Sequence, residues 1–196
     1  MPKKLLIVLT LVMIIAVGVT LAQPFSSGAD TQKSESWFRW DAAALALIGV
    51  AVAVVFAGIG SAIGIGISAN MALGAMHEHP KLFPQFLLLS ALPGTQGIYG
   101  FVVGFLTILW TGLLNDPSKL ASLTINDGWH FLFAGIPVGI AGLLSGIHQG
   151  KACASGVALV VKDKANVAKA MTLAAFIEFY AILGLLASVL VLLSIK

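Results

Sequence analysis

Long apolar segments separated by short polar stretches dominate the pattern along this chain. Four of them lie at about residues 42–76, 84–113, 129–160 and 167–195. Each is longer than the ~20 apolar residues that cross about 30 Å of hydrocarbon as a helix. The pattern therefore predicts an all-α membrane protein with four spanning helices that protrude from the bilayer or tilt within it.

The region before the first of these segments has a different pattern. Residues 1–22 contain two lysines, an 18-residue apolar run and a small-x-small end, as in a secretory signal peptide cleaved after Ala22. A run of this length can also just span a bilayer as a permanent helix. We therefore expect residues 1–22 to be a signal peptide or an extra transmembrane helix. Residues 23–41 are polar and contain Pro, Gly and Ser, which predicts an exported linker.

Composition supports the membrane class. Of the 196 residues, 59% are hydrophobic and 10% are charged, whereas soluble domains contain about 25% charged residues. The net charge of +3 is small and lies in loops, so nucleic-acid binding has no support. The single cysteine, Cys153, excludes an internal disulfide, and we interpret it as a packing residue. No GxxxxGK[ST] phosphate-binding loop is present, so we do not expect the chain to be an enzyme by itself.

The distribution of charge predicts the orientation of the helices. Lysines cluster in or beside the two short loops, at positions 81, 162, 164 and 169. The longer loop, residues 114–128, has Lys119 against Asp116 and Asp127. The positive-inside rule therefore places loops 77–83 and 161–166 in the cytoplasm and residues 114–128 outside a cell membrane. All four tryptophans (37, 40, 110 and 129) then fall at the outer interface.

The helical region contains an ungapped duplication. The first helix pair aligns with the second without gaps when position 57 is placed on position 141 and all later positions keep the same offset. Ala57, Gly58, Ser61, Ile63 and Gly66 fall on Ala141, Gly142, Ser145, Ile147 and Gly150, and Ala91, Ile98, Gly100 and Leu106 fall on Ala175, Ile182, Gly184 and Leu190. Two residues related by this shift are called repeat equivalents below. We therefore predict two parallel helical hairpins, residues 42–113 and 129–195, joined by the exported loop 114–128.

The first helix of each hairpin is patterned with glycine. The positions are Gly58, Gly60, Gly64 and Gly66 in one, and Gly135, Gly139, Gly142, Gly146 and Gly150 in the other. Small residues at this spacing let helix axes approach closely. Both a monomeric bundle and the inner wall of a ring would use such helices.

Glu178 is the only acidic residue in the last apolar run. An uncompensated carboxylate in hydrocarbon costs about 2.5–3.5 kcal/mol on insertion scales, so intramembrane carboxylates usually mark ion or proton pathways. The repeat equivalent of Glu178 is Gly94, and the surrounding sequence is LPGTQGIYG. Leu92, Thr95, Gln96 and Tyr99 occupy i, i+3, i+4 and i+7, one face of a helix. Pro93 leaves a backbone carbonyl without its helical donor and loosens this turn.

A further deep polar side chain is Gln149. It lies as far before the centre of the predicted 161–166 turn as Glu178 lies after it, so the two are level in the hairpin. Gln96 lies about 12 residues into its own helix, as Glu178 does. We therefore expect Glu178, Gln149, Gln96 and Thr95 to form one cluster of oxygen atoms within the membrane.

Other interpretations stay open for these residues. Gln149 could simply hydrogen-bond a neighbouring helix, and Thr95 could satisfy its own helix backbone. Lys151 could pair with Glu178, but it is rotated by about 200° from Gln149, so both cannot face the carboxylate. For His148 we expect packing or a helix–helix hydrogen bond.

The motifs resemble those of a known family. The two hairpins, PGTQGIYGF in one and IEFYAILG in the other, are similar to the rotor-ring proteolipid of V-type or A-type ATPases over about residues 42–195. LPGTQGIYG, SGIHQGK and IEFYAILG more narrowly resemble the sodium-coupled bacterial V-ATPase branch. That resemblance implies a Na+ site made by the Leu92 carbonyl and the side chains of Thr95, Gln96, Gln149 and Glu178. It also implies that Tyr99 hydrogen-bonds the carboxylate and locks it.

The resemblance implies partners as well. We expect a homo-oligomeric ring in the lipid bilayer, a stator membrane subunit with a basic residue, and central-stalk subunits at the cytoplasmic loops. Phe179 departs from the small polar residue expected after the carboxylate, which affects the rim of the site.

The transported ion can also be argued from chemistry. A proton needs one carboxylate and at most one partner, whereas a dehydrated hard cation needs several oxygens. The predicted cluster has several, which favours Na+ over H+. A stand-alone secondary transporter with internal repeats is a less favoured alternative, because the chain has one intramembrane acid and little room for an organic substrate. A purely structural proteolipid would leave Glu178 unexplained.

Overall fold

The computed structural model describes residues 41–195, in which all regular secondary structure is helical. The α-helices are α1 (Ala42–Met76), α2 (Phe83–Ala91), α3 (Thr95–Thr111), α4 (Pro117–Ser122), α5 (Ile125–Lys162) and α6 (Val167–Leu193). Single 3₁₀ turns occupy Pro80–Leu82, Leu92–Gly94 and Lys164–Asn166. The predicted signal peptide or extra helix, and all of the predicted linker except Asp41, lie outside the described residues.

Four stretches of helix are long and apolar enough to cross a membrane. They are Ala42–Met76, Pro80–Thr111, Ile125–Lys162 and Lys164–Leu193. Their lengths, from 30 to 38 residues, exceed the ~20 residues that a bilayer requires. The predicted all-α membrane fold with four spanning segments is confirmed.

Helices α1 and α5 run side by side in parallel, and glycines bring their backbones together. A Cβ added to Gly60 would lie 2.5 Å from the carbonyl oxygen of Gly142, and Gly64 meets Gly146 in the same way. One added to Gly139 would lie 2.7 Å from the carbonyl oxygen of Val52. In each pair, one residue lies within one helical turn of the repeat equivalent of the other. Equivalent residues of the two hairpins therefore lie at nearly the same depth.

Helices α3 and α6 form a second layer. Helix α3 packs on both α1 and α5, whereas α6 packs mainly on α5 and touches α3. Gly184 permits the approach of α6 to α5, because an added Cβ there would lie 2.9 Å from the Pro137 carbonyl oxygen. The second layer is thus staggered: α3 covers the seam between α1 and α5, and α6 lies beyond α5.

The second spanning segment is interrupted where the sequence predicts a loosened turn. Helix α2 ends at Ala91, the Leu92–Gly94 turn follows, and α3 begins at Thr95. Pro93 is buried and cannot donate a backbone hydrogen bond. Helix α3 ends at Thr111 and is capped by Gly112. The φ of Gly112 is 75°, a left-handed conformation that glycine adopts without strain. The predicted continuous segment 84–113 is therefore two helices that meet at the motif.

The stretch predicted as the loop 114–128 contains helical residues. Asp116 caps α4 through Lys119 N–H, and the Ser118 hydroxyl and this amide hold the pKa of Asp116 below its usual value. Helix α5 begins at Ile125, four residues before the predicted start, because Thr124 and Asp127 form a capping box. The T-x-x-D pattern in the sequence is the signal for this start.

Two apolar clusters enclose a polar layer. One lies toward the short loops and consists of Ala72, Phe86, Leu89, Cys153, Val157, Val160, Ala170 and Ala174. The other lies toward α4 and consists of Ala46, Ala53, Val103, Phe131, Ala134, Val138 and Leu192. Cys153 is buried in the first cluster, where it fills space as expected. The candidate site lies between the two clusters.

Candidate ion-binding site

The 3₁₀ turn positions the first polar residues of the site. Thr95 is the first residue of α3, and its Oγ1 donates a hydrogen bond to the Leu92 carbonyl at 3.2 Å. Gln96 follows with its side chain fully buried. Because the turn interrupts the helical ladder, the Leu92 carbonyl, the Thr95 hydroxyl and the Gln96 amide are brought to one point of the second segment.

A chain of hydrogen bonds links this point to the carboxylate. Gln96 Nε2 donates to Gln149 Oε1 at 2.6 Å, across the contact between the two hairpins. Gln149 Nε2 in turn lies 3.1 Å from Glu178 Oε2 and 3.2 Å from the Ala174 carbonyl oxygen. Gln149, like Gln96, is fully buried, and Glu178 is partly buried. The side chains from α3, α5 and α6 therefore meet at one depth.

Tyr99 completes the surroundings of the carboxylate. Its hydroxyl donates to Glu178 Oε1 at 2.7 Å. With Gln149 on the other oxygen, each carboxylate oxygen accepts one hydrogen bond. Lys151, the alternative partner, is exposed and is not needed to satisfy the carboxylate.

One buried oxygen of the cluster has no partner within the described part of the chain. Gln96 Oε1 is inaccessible to solvent and accepts no hydrogen bond from any of residues 41–195. Leaving such a group unsatisfied costs about 1–3 kcal/mol, so buried amide oxygens are normally paired. A buried amide oxygen without a hydrogen-bond donor is suited to a hard cation, which takes oxygen ligands.

The donor set is oxygen-rich but contains only one acid. Among residues 41–195 no group of three or more His, Cys, Asp and Glu side chains could hold a metal ion. A single carboxylate surrounded by amides and a hydroxyl balances one positive charge, as a proton or a monovalent cation carries.

Two groups near the site were missed by sequence reasoning. The Ser61 hydroxyl accepts a hydrogen bond from the Gly97 N–H at 2.7 Å and so anchors the first turn of α3 to α1. The Ala174 carbonyl accepts from Gln149. A serine among the glycines of α1 is a weak signal for the first, and a carbonyl carries no sequence signal at all.

Two further residues lie outside the cluster. The His148 ring nitrogen Nδ1 lies 2.8 Å from the Leu144 carbonyl of its own helix, and the side chain is exposed on the surface of the single chain. Phe179 is 54% exposed and packs against Phe176 with ring centroids 6.0 Å apart.

These features define a multi-pass membrane protein built from two copies of one helical hairpin, with one carboxylate held between them. The model of the family of the ATP synthase C subunit matches residues 48–107 and again residues 132–191. Positions 48 and 132, like positions 107 and 191, are repeat equivalents, which confirms the predicted duplication and its register.

Three relatives of known type are similar to the chain. The V-type sodium ATPase subunit K of Enterococcus hirae is 39% identical over 76% of this chain and 90% of the relative. The A-type ATP synthase subunit K of Methanocaldococcus jannaschii is 37% identical over 77% of this chain and 63% of the relative. A V-type proton ATPase subunit of Saccharomyces cerevisiae is 25% identical over 92% of this chain and 85% of the relative. The chain belongs to the family of the ATP synthase C subunit, among the proteolipid subunits of V-type and A-type ATPases.

Proposed function

We propose that this chain is the rotor subunit of a V-type or A-type rotary ATPase and carries Na+ on Glu178 as a homo-oligomeric ring turns. The observation that supports it best is the hydrogen-bonded chain from Gln96 through Gln149 to Glu178, in which the buried Gln96 Oε1 has no partner among residues 41–195. A bound cation would give this oxygen the electropositive partner that it lacks. The ligands would be the Leu92 carbonyl and the side chains of Thr95, Gln96, Gln149 and Glu178.

The choice of Na+ rests on the number of oxygens. A proton would need the carboxylate and one hydrogen-bond donor, which Tyr99 already supplies. Two buried glutamines and a threonine add oxygens that a proton does not require but a dehydrated cation does. The name of the Enterococcus hirae relative, a sodium ATPase subunit, agrees with this choice.

H+ is the second candidate ion. The chain of hydrogen bonds from Gln96 through Gln149 to Glu178 is complete without a cation. The yeast relative is named as a subunit of a proton ATPase, although it is less similar to this chain.

Transport follows from the charge of the carboxylate. Without a bound cation, Glu178 is an anion that is penalised next to lipid. With one bound, the site is neutral and crosses the lipid-facing part of the rotation. A basic residue on a stator membrane subunit would meet the anion, and two aqueous half-channels there would confine release and loading. Rotation and ion transfer are thereby coupled, and ATP hydrolysis resides in partner subunits.

The proposed topology follows the lysine distribution. Loops 77–83 and 161–166 would be cytoplasmic and contact the central-stalk subunits. Residues 114–128 would lie on the outer side between hairpins 42–113 and 129–195. Residues 1–22 would be a signal peptide or an extra transmembrane helix, followed by an exported linker over residues 23–41.

The test measures protection of the carboxylate. Purified protein in detergent at neutral pH is treated with a carboxyl-modifying carbodiimide over a range of Na+ concentrations, and labelling of Glu178 is read by mass spectrometry. We expect Na+ to suppress labelling, because a bound cation blocks access to the carboxylate, and K+ at equal concentration to suppress it less.

The control is Glu178→Gln, which should remove the labelled peptide. Labelling that responds to pH but not to Na+ would reject Na+ in favour of H+. Labelling that responds to neither would reject an ion-carrying role for Glu178.

A further inference from the structure

The interruption of the second membrane-spanning segment creates a helix end inside the membrane. Helix α3 begins at Thr95, immediately after the Leu92–Gly94 turn. The first N–H groups of an α-helix have no carbonyl partner within the helix, and in hydrocarbon no water is present to satisfy them. Gly94 precedes the helix and has no side chain that could accept a hydrogen bond from them. The start of α3 therefore needs an acceptor from elsewhere in the fold.

Ser61 of α1 supplies that acceptor. The Gly97 N–H, on the third residue of α3, donates to the Ser61 Oγ at 2.7 Å. The hydroxyl thus performs the role that an N-cap serine normally performs from within the same helix. Ser61 is 6% exposed, so the bond lies inside the helix bundle.

Glycine at position 97 lets the serine come this close. A Cβ added to Gly97 would lie 3.2 Å from the Ser61 Oγ, so a larger residue would press on the hydroxyl that the N–H binds. One turn further along α1, a Cβ added to Gly64 would lie 2.7 Å from the Pro93 Cβ. Helix α1 therefore contacts the turn at Pro93 and the start of α3 at Gly97.

Three of the proposed ion ligands lie at or between these two contacts. Thr95 and Gln96 are the two residues before Gly97, and the Thr95 Oγ1 is bonded to the Leu92 carbonyl. Their positions depend on where the turn and the start of α3 are held. The remaining two ligands belong to α5 and α6, which are not part of this turn. A shift of the turn would therefore separate three ligands from the other two.

The second hairpin contains the same serine without an interrupted helix. The repeat equivalents of Ser61 and Gly97 are Ser145 and Ala181. Helix α6 is continuous over Val167–Leu193, so the Ala181 N–H lies in its interior and is bonded along the helix. The Ser145 hydroxyl is buried and has no hydrogen-bond partner among residues 41–195. A serine at this position is thus bonded to the neighbouring helix only where that helix is interrupted.

We propose that Ser61 is a positioning residue of the ion site: its hydroxyl caps the start of α3 from the neighbouring helix and so fixes Thr95 and Gln96. Ser61 is not among the proposed ligands. The inference rests on the proposed function and deepens it, because it assigns the affinity and selectivity of the site partly to a residue outside the ligand set. Loss of the cap would free three oxygens to shift, which weakens binding and alters the discrimination between Na+ and the smaller Li+.

Ser61→Ala and Ser145→Ala form a matched pair of variants. Each removes one buried hydroxyl, but only the first removes the acceptor of a backbone N–H. The measurement is the concentration of Na+, and separately of Li+, that gives half-maximal protection of Glu178 from carbodiimide in the full chain. For Ser61→Ala we expect a Na+ concentration about two- to thirtyfold higher, the change in an equilibrium constant that loss of an N-cap corresponds to, and a changed ratio of Li+ to Na+. For Ser145→Ala both should equal the values of the unsubstituted chain.

Hydrogen exchange tests the cap without any ion. In Na+-free detergent, a peptide covering residues 92–100 should exchange faster in Ser61→Ala than in the unsubstituted chain, because the Gly97 N–H loses its acceptor. Ser145→Ala should leave that peptide unchanged. Unchanged exchange in Ser61→Ala would overturn the proposal, and so would faster exchange combined with an unchanged Na+ requirement. If Na+ fails to protect the unsubstituted chain while the exchange difference remains, the ion is rejected and the cap is kept.

Gly97→Ala perturbs the same bond from the other partner. The added Cβ would crowd the Ser61 Oγ while leaving the hydroxyl and the N–H in place. We expect this variant also to need more Na+ for protection, and the double variant with Ser61→Ala to need no more than Ser61→Ala alone, because both changes act on one bond. Additive effects would overturn the direct link between the two residues. If Ser61→Ala does not fold, an unchanged Na+ requirement in Gly97→Ala overturns the proposal by itself.

Discussion

At the scale of single residues, the question is how a carboxylate is tolerated within an apolar helix. Each oxygen of Glu178 accepts one hydrogen bond, from Tyr99 and from Gln149. Hydrogen bonds to a charged group contribute about 1.5–3 kcal/mol each, which is comparable to the penalty for placing the charge in hydrocarbon. The carboxylate is therefore positioned as well as stabilised by these two bonds.

Gln149→Ala tests the role of the central amide. Its removal takes away the bond to Glu178 and one proposed oxygen ligand, while Gln96 loses its acceptor. Losing about 1–3 kcal/mol corresponds to about 5- to 150-fold weaker Na+ binding. The measurement is the Na+ concentration that gives half-maximal protection of Glu178 from carbodiimide.

Thr172→Ala is the control for this variant. The substitution removes the Thr172 hydroxyl, which lies on the same helix as Glu178. This hydroxyl is exposed and donates a hydrogen bond only to the Ala168 carbonyl. The Na+ concentration that gives half-maximal protection should equal that of the wild-type protein. If Gln149→Ala also left this concentration unchanged, Gln149 would not be a ligand.

At the scale of helices, glycine spacing sets the distance between α1 and α5. A Cβ at Gly64 would overlap the Gly146 carbonyl and lie 2.7 Å from the Pro93 Cβ. The same glycine therefore lets α5 approach and leaves room for the proline that interrupts the second segment. Close packing of α1 against α5 therefore coincides with the level at which Gln149 bonds both Gln96 and Glu178.

Gly64→Leu should destabilise the folded chain. Overpacking against rigid backbone costs about 1–3 kcal/mol and occasionally more, so we expect a lower midpoint of thermal unfolding in detergent. Gly74→Leu on the same helix is the matched control, because a Cβ added there meets nothing within 4 Å. Equal midpoints for the two variants would contradict the close α1–α5 contact.

At the scale of the whole molecule, duplication was followed by divergence of one site. The first hairpin has Gly94 where the second has Glu178, and the second has Phe179, Tyr180 and Leu183 where the first has polar residues. One copy therefore contributes one carboxylate for four membrane-spanning segments. A ring of given circumference would then move fewer ions per turn than one with a carboxylate in every hairpin.

Binding stoichiometry tests this asymmetry. Equilibrium dialysis with radioactive Na+ should give one ion per chain, because the first hairpin has Gly94 where the second has its carboxylate. Glu178→Gln should reduce bound Na+ to near zero. Two ions per chain in the unsubstituted protein would contradict the loss of one site and show that a second cation site exists.

Much of the fold could be predicted because its signals are local. Apolar run lengths gave four spanning segments, and Pro93 indicated the interruption at Leu92–Gly94. The start of α5 was placed too late because the Thr124 capping box precedes the apolar run that marks the span. For the site, the sequence predicted that Gln149 and Glu178 lie at the same depth, because the depth of a residue in a hairpin follows from counting residues from the turn. The two side chains are hydrogen-bonded in the structure.

The sequence by itself determined the membrane class, the duplicated hairpins, and the level at which Glu178 lies, because hydrophobic length and residue spacing are properties of one helix at a time. The tertiary structure decided how each helix is rotated against its neighbours. That rotation pairs Gln96 with Gln149, which are distant in the chain, and anchors Gly97 on Ser61. It also buries Gly60 and Gly64 while leaving Gly58 and Gly66 open. Glycines at these positions look alike in the sequence, and only the packing of α5 against α1 distinguishes them.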